Sequence, residues 1–302
     1  MQEFYIREDA LISAKEWESA ITELKLSLKE DLKQERSAVA AIGEQLVRAV
    51  EERVPGEEKF GLMFSGGVDS SIIALLLKRS GKDFNCYTIG FKNDDTKEPE
   101  DVEAAERAAN LIGVKLKARI VDVKGAEQLI AKTVNVLGSR LNNVINVGVA
   151  AVEIGCIEMA EQDGVHCLFG GLGSEEIFAG YQRHRQSEDR QEECWHGLLA
   201  MYERDLLRDA ALAKAFGIRF MTPFLDAKLM ATGMRIPAKM KIDSQHSKLV
   251  LREAAEELGL PKEIAWRQKR AAQYGSRIDK AIDKLSRMKK FKFKKDYLKS
   301  LE

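Results

Sequence analysis

The sequence predicts an α/β protein: a doubly wound parallel sheet followed by a helical second half. Three observations carry that expectation. Short apolar runs of strand length recur at residues 60–64, 85–91, 117–121 and 165–169. Segments with apolar residues at helical spacing separate them, and such alternation implies parallel strands joined by crossover helices. Two of the runs end directly in glycine-rich turns, Ser65-Gly66-Gly67 and Gly170 to Gly173. Those turns fall at the carboxyl ends of strands, where open parallel sheets hold their ligands.

Taken in order, residues 1–54 read as mostly helical. Trp17, Ile21, Leu24, Leu26 and Leu28 fall at helical spacing over 14–33, and Ile42, Leu46 and Val50 do so over 38–54. Pro55-Gly56 then stops the chain before the first strand. Residues 1–38 are expected to form a helical extension packed on a main domain, 39–302. Within that domain an α/β core spans about 57–185 and a helical part about 186–302. Helices are expected at 70–80, stopped by Gly81, at 98–112, closed by Gly113, and at 127–137 and 144–161. Beyond Gln186 only helices are expected, around 194–207, 228–234, 247–258 and 276–288. Pro223, Pro237 and Pro261 punctuate them.

Composition narrows the class. The 48 basic and 48 acidic side chains balance, so no global field favours nucleic acid. No stretch of about 20 apolar residues reads as a membrane span. The acidic start, Met1 to Asp9, lacks a signal-peptide core, so a cytoplasmic protein is expected. Cys86, Cys156, Cys167 and Cys194 form no Cys-x-x-Cys pair and read as buried thiols. The basic tail with interleaved aromatics, 288–297, reads as a solvated terminal face rather than a nucleic-acid surface. A homodimer is compatible with all of this.

Four segments carry chemistry. In Ser65-Gly66-Gly67-Val68-Asp69-Ser70, the missing side chains let backbone N–H groups approach an anion, and the next helix adds its positive N-terminal end. That suits phosphate or pyrophosphate, although the common G-x-x-x-x-G-K-[ST] loop is absent. The second segment, Gly170 to Tyr181, brings Glu175 and Glu176 to a strand end, where a carboxylate beside a triphosphate is suited to hold Mg²⁺. The third, Met221 to Asp226, sets Asp226 at the start of a helix. The fourth gathers Lys248, Arg252, Arg267, Lys269 and Arg270 in a region able to cover the site and neutralise a departing pyrophosphate.

In order and approximate spacing, these segments resemble the synthetase domain of the asparagine synthetases, members of the N-type ATP-pyrophosphatases whose domain β-lactam-forming relatives share. The likeness runs over roughly 40–280. It implies a two-step reaction. A substrate carboxylate attacks the α-phosphate of Mg·ATP, giving an acyl-adenylate and pyrophosphate; ammonia or another amine then displaces AMP to leave an amide. It also implies residue roles. Ser65, Gly66, Gly67, Asp69 and Ser70 hold the pyrophosphate portion of ATP, with Gly171 close by, and Asp69 and Glu175 hold Mg²⁺. Glu175 stands where the family usually has aspartate. Lys269 matches the lysine that stabilises the adenylation transition state, and Lys248 faces phosphate. Leu62, Ile89 and Gly90 cradle adenine and ribose, while Gly173, Ser174 and Asp226 lie by the carboxylate substrate.

Two departures from the family pattern alter the expectation. The glutaminase domain of the family does not precede Phe60, and residue 2 is Gln2 rather than the catalytic cysteine. Free ammonia, another amine, or a separate glutaminase partner is therefore expected as the nitrogen source. Leu172 stands where the family carries a glutamate associated with the second half-reaction. Losing that carboxylate bears on amine attack, and so against aspartate-to-asparagine conversion, and leaves adenylation largely untouched. Competing readings are an ATP-dependent tRNA-modifying enzyme and a catalytically reduced binding relative.

Overall fold

The computed structural model describes residues 3–93, 98–268 and 271–302. Five strands form one parallel sheet: β1 (Phe60–Met63), β2 (Asn85–Phe91), β3 (Lys115–Val121), β4 (Cys167–Phe169) and β5 (Arg219–Met221). Their spatial order is β3-β2-β1-β4-β5. The chain thus steps outward from β1 to β3 and returns to the other side of β1 for β4. The reversal between β1 and β4 opens a crevice at their carboxyl ends, the usual ligand position in such sheets.

The period-2 alternation of the strands sorts their side chains to two cores. Phe60, Leu62, Cys86 and Phe169 join a cluster built with α2 (Glu35–Glu51), α3 (Val68–Arg79) and α4 (Glu100–Ile112). Tyr87, Ile89 and Leu168 join another, built with α5 (Val123–Leu141) and α6 (Val144–Gln162). The doubly wound arrangement expected from the sequence is therefore present, with helices on both faces. The N-terminal segment packs on this body. In α1 (Ala14–Ser27), the Trp17 Nε1 donates to Leu198 O at 3.0 Å, and Tyr5 Oη lies 2.7 Å from Thr222 Oγ1.

One sequence expectation needs correction. The region after Gln186 is not helical throughout, because β5 extends the sheet beside β4. The stretch before residue 54 is mostly helical, with one short β pair before α1. Ile6–Arg7 pairs with Ala10–Leu11 in a two-residue hairpin whose turn residues, Glu8 and Asp9, both have positive φ. After the short separate helix α7 (Ser174–Ile177), the helix expected around 194–207 is longer than expected: α8 (Arg190–Met201) runs through a wider π-type turn at Tyr202–Leu206 into α9 (Leu207–Phe216). The remaining long helices are α10 (Ala227–Met234), α11 (Leu249–Glu257) and α12 (Ile278–Met288), the last packed with α5 and α6. All four cysteines are buried and unpaired. Among the described residues, no helix is long and apolar enough to cross a membrane.

Candidate functional site

β1 leaves the sheet through Ser65, Gly66 and Gly67, and α3 begins at Val68 with Gly67 as a cap that supplies no side-chain hydrogen bond. The first N–H groups of α3 therefore keep their capacity for an anion. Gly66 is required here on two counts. Its φ is +65°, and a Cβ would sit 2.4 Å from the carbonyl oxygen of Ala104 in α4. Ser70, one turn into α3, folds its hydroxyl back over the turn, accepting from Ser65 N at 3.2 Å and lying 3.3 Å from Ser65 Oγ. Asp69 projects beside it and is largely buried.

β4 leaves the sheet next to this turn, through Gly170 and Gly171. A Cβ on Gly171 would lie 3.0 Å from Asp69 Cβ, so the second glycine turn lies against the first turn of α3. Gly173 then caps α7, which presents Ser174 and Glu175 toward Asp69. Glu176 turns the other way. It is buried against Arg204, with Arg183 at 3.9 Å, and takes no part in the cluster.

Lys248 draws these groups together. It precedes α11 in a left-handed conformation, φ +60°, a strained state for a residue with a Cβ. Its Nζ donates to Asp69 Oδ1 and Oδ2 at 2.9 and 2.8 Å and to Ser174 Oγ at 3.1 Å, and lies 2.7 Å from Glu175 Oε1. Burial works against the ammonium, but Asp69 and Glu175 outweigh it and hold its pKa above the ordinary lysine value. Gly180 sits against this pair: a Cβ there would come within 1.6 Å of Glu175 Oε2 and 2.5 Å of Lys248 Cε. Gly180 lies inside the Gly170 to Tyr181 segment, and its signal in the sequence is a glycine a few residues after the acidic pair Glu175-Glu176.

The other cations serve differently. Arg252 donates to Ser247 O at 2.7 Å and to Arg267 O at 3.1 Å, and bonds Ala265 O as well, so it binds loop backbone together. Arg267 reaches Ser65 O, Glu100 O and Asp101 Oδ1, each at 3.4 Å, and so lies over the first turn. Lys269 and Arg270 lie outside the described residues.

Leu62 and Ile89 are fully buried in opposite cores, which leaves only their main chain, with that of Gly90, at the strand ends. Asp226 is not drawn into the Lys248 cluster by its described bonds. It caps α10 through Lys228 N and Leu229 N at 2.9 and 3.1 Å, bonds Arg48, and lies 3.2 Å from Arg53. Arg53 in turn is paired with Glu3 at 2.8 Å. Burial alone would raise the Asp226 pKa, but the Arg48 hydrogen bond and helix capping overcome it and hold the carboxyl below its usual range. Leu172 packs, half-buried, on the larger core cluster.

The donor set at Lys248 consists of hard oxygen ligands. Among the described residues, no three His, Cys, Asp or Glu side chains gather to hold a metal ion. A cation there would have two carboxylates, Asp69 and Glu175, which fits Mg²⁺, an ion that takes few protein ligands and completes its shell with phosphate and water.

The asparagine synthase family profile matches residues 41–197 and 186–290. The chain belongs to the asparagine synthase family. It is 30% identical over 288 residues to "Putative asparagine synthetase (glutamine-hydrolyzing) 1" of Methanocaldococcus jannaschii, covering 83% of this chain and 51% of that protein. It is 27% identical over 256 residues to the asparagine synthetase (glutamine-hydrolyzing) of Gallus gallus, covering 81% and 44%. The chain thus spans about half the length of the curated relatives it matches. Among solved structures, an NMN synthetase from Francisella tularensis is similar at 13% identity and a TM-score of 0.41, over 83% of this chain and 87% of that one, a distance that carries no functional weight.

Proposed function

We propose that this member of the family is an ATP-dependent, AMP-forming amide ligase, which adenylates a carboxylate and passes the acyl group to ammonia or another amine. Aspartate-to-asparagine conversion is the foremost reaction. The observation that carries this reading is the meeting of Asp69, Ser174, Glu175 and Lys248 where the second glycine turn lies against the start of α3.

A carboxylate is a poor electrophile, and joining it to AMP supplies a leaving group. The backbone N–H groups of Ser65 to Gly67 and the N-terminal end of α3 hold the pyrophosphate portion, with Ser65 and Ser70 hydroxyls beside it. Asp69 and Glu175 would hold Mg²⁺, which when bound withdraws charge from the phosphate oxygens. Lys248, and Lys269 by the family motif, offset the charge that builds on departing pyrophosphate. Leu172 offers no carboxylate to deprotonate an ammonium ion, which favours a nucleophile that arrives uncharged, as free ammonia, another amine, or ammonia released by a separate glutaminase.

The test is exchange of radiolabelled pyrophosphate into ATP with a panel of carboxylates, followed by mass spectrometry of products formed with ammonia. Exchange dependent on one carboxylate, and its amide as product, is the expected result. Binding of Mg·ATP with no exchange for any carboxylate would reject the adenylation chemistry.

A further inference from the structure

The second glycine turn is fixed in part by residues far away in the chain. β5 ends at Met221, whose carbonyl oxygen accepts from Gly170 N at 2.9 Å. The single 3₁₀ turn that follows, Pro223–Leu225, packs on Gly173, where a Cβ would lie 2.5 Å from Leu225 Cδ2. Thr222 stands between these two contacts and is buried. A buried N–H needs an acceptor inside the protein, and Thr222 N finds it 219 residues away, donating to Glu3 Oε1 at 2.9 Å.

We propose that Glu3 is a positioning residue: through Thr222 it fixes the place of Gly170 to Glu175, and with it the Glu175 carboxylate beside Lys248. The consequence for catalysis rests on reading that cluster as the site of adenylation.

Three features support the assignment. First, Glu3 is itself held rigidly. Its two oxygens accept from Arg53 Nε and Nη2, each at 2.8 Å, a two-point contact that fixes a carboxylate in direction as well as distance. Arg53 also donates to Ala49 O of α2 at 3.0 Å, so α2 supplies the anchor. Second, the same segment meets Thr222 twice. Tyr5 Oη lies 2.7 Å from Thr222 Oγ1, and the Tyr5 ring packs edge-on against Trp17, which bonds Leu198 O. Third, Thr222 cannot shift alone. The next residue, Pro223, has a fixed φ, and Thr222 O already accepts from Leu225 N at 2.9 Å. Without Glu3, Thr222 N must find another acceptor, and moving it carries along Met221 and Leu225, on which Gly170 and Gly173 rest.

The test is hydrogen exchange of the full chain read by mass spectrometry. The reporters are Ile177 N and Phe178 N, which donate to Gly173 O and Ser174 O. In Glu3→Ala, peptides covering 170–178 should exchange at least about ten-fold faster, while those covering α6 keep the wild-type rate. Tyr5→Phe, which deletes only the hydroxyl, should move 170–178 in the same direction and covers a failure of Glu3→Ala to fold. Wild-type hydrogen exchange over 170–178 in Glu3→Ala, or in Tyr5→Phe where Glu3→Ala does not fold, would overturn the proposal. ATP–pyrophosphate exchange on the same proteins reads the effect on the reaction. Glu3→Ala should lose on the order of 10²-fold, and Glu3→Gln, which keeps an oxygen toward Thr222 N, should recover most of it. Full activity in Glu3→Ala, or a Glu3→Gln protein no better than Glu3→Ala, would overturn the positioning role in catalysis. If wild type exchanges pyrophosphate with no carboxylate, the adenylation reading falls, and the hydrogen-exchange comparison still decides whether Glu3 fixes the turn.

Discussion

Gly180→Ala is the most discriminating single-atom change in this site. Gly180 does not have positive φ, so alanine meets no backbone strain there. The perturbation is one methyl group placed 1.6 Å from Glu175 Oε2 and 2.5 Å from Lys248 Cε. Ordinary van der Waals contact starts at 3.4 Å, so the carboxylate must retreat by about 1.8 Å. Both obstructing atoms are far ends of flexible side chains, and the Glu175 side chain is 31% exposed, so it can swing toward water. Stability should therefore fall by only about 1–2 kcal/mol, the low part of the usual cost of overpacking. Function should fall further. The displacement breaks the 2.7 Å contact with Lys248 and moves one of the two carboxylates proposed to hold metal. Misplacement on this scale costs on the order of 10²-fold in rate. The assays are urea unfolding and ATP–pyrophosphate exchange on the same preparation, with Gly56→Ala, which meets nothing within 4 Å, as control. Wild-type exchange in a Gly180→Ala protein would refute the reasoning, because Glu175 would then not be needed where it stands.

Three further outcomes are expected. Gly66→Ala combines a left-handed backbone, costing about 1–2 kcal/mol in a residue with a Cβ, with a clash against main chain that cannot swing away; it should lose more stability than Gly180→Ala and abolish Mg·ATP binding by calorimetry. Asp226→Ala removes a helix cap and one carboxylate from the Arg48–Arg53 pair, while Glu3 still compensates Arg53; a loss of about 3 kcal/mol in urea unfolding follows, at the low end of broken buried pairs, and a loss under about 1 kcal/mol would contradict it. His184 is buried, accepts from Tyr181 N at 3.0 Å, and has its pKa pushed down to about 4, chiefly by burial. As pH falls from about 6.5 toward 4, the unfolded chain takes up a proton that the folded chain refuses, so His184 makes stability decline by up to about 1.4 kcal/mol per pH unit. His184→Gln should flatten that part of the pH–stability curve, and an unchanged slope would remove His184 as its source.

Much of the fold was legible because its central strands are short apolar runs between strongly periodic helices. β2 and α6 lie within a residue of their expected bounds. β5 escaped notice because it is three residues long, with Arg219 exposed and Phe220 half-buried, and an edge strand of that length has no room to display alternation. The Ile6–Arg7 hairpin escaped because its turn uses Glu8 and Asp9 in place of the Asn-Gly or Asp-Gly that normally marks φ > 0 at both positions. For β5, pairing with the distant Cys167 to Phe169 overrides a weak local signal; the hairpin instead pairs locally, Ile6 with Leu11 and Arg7 with Ala10.

The site divides along the same physical line. Ser65 to Ser70 and Gly170 to Glu175 were legible because glycine at a strand end has few reasons to be there other than close approach. The state of the charges was not. Asp226 and Asp69 read alike in sequence, as acidic residues at helix starts, yet their partners differ in kind. Asp226 bonds a helix N-terminus and lies between two arginines, one of them buried with Glu3, an arrangement that closes on itself. Asp69 is held by a lysine that also holds Glu175, and a lysine is a point charge with no fixed fork to its hydrogen bonds. That difference lies in the partners, which come from distant parts of the chain, and so neither carboxylate's own surroundings in the sequence display it.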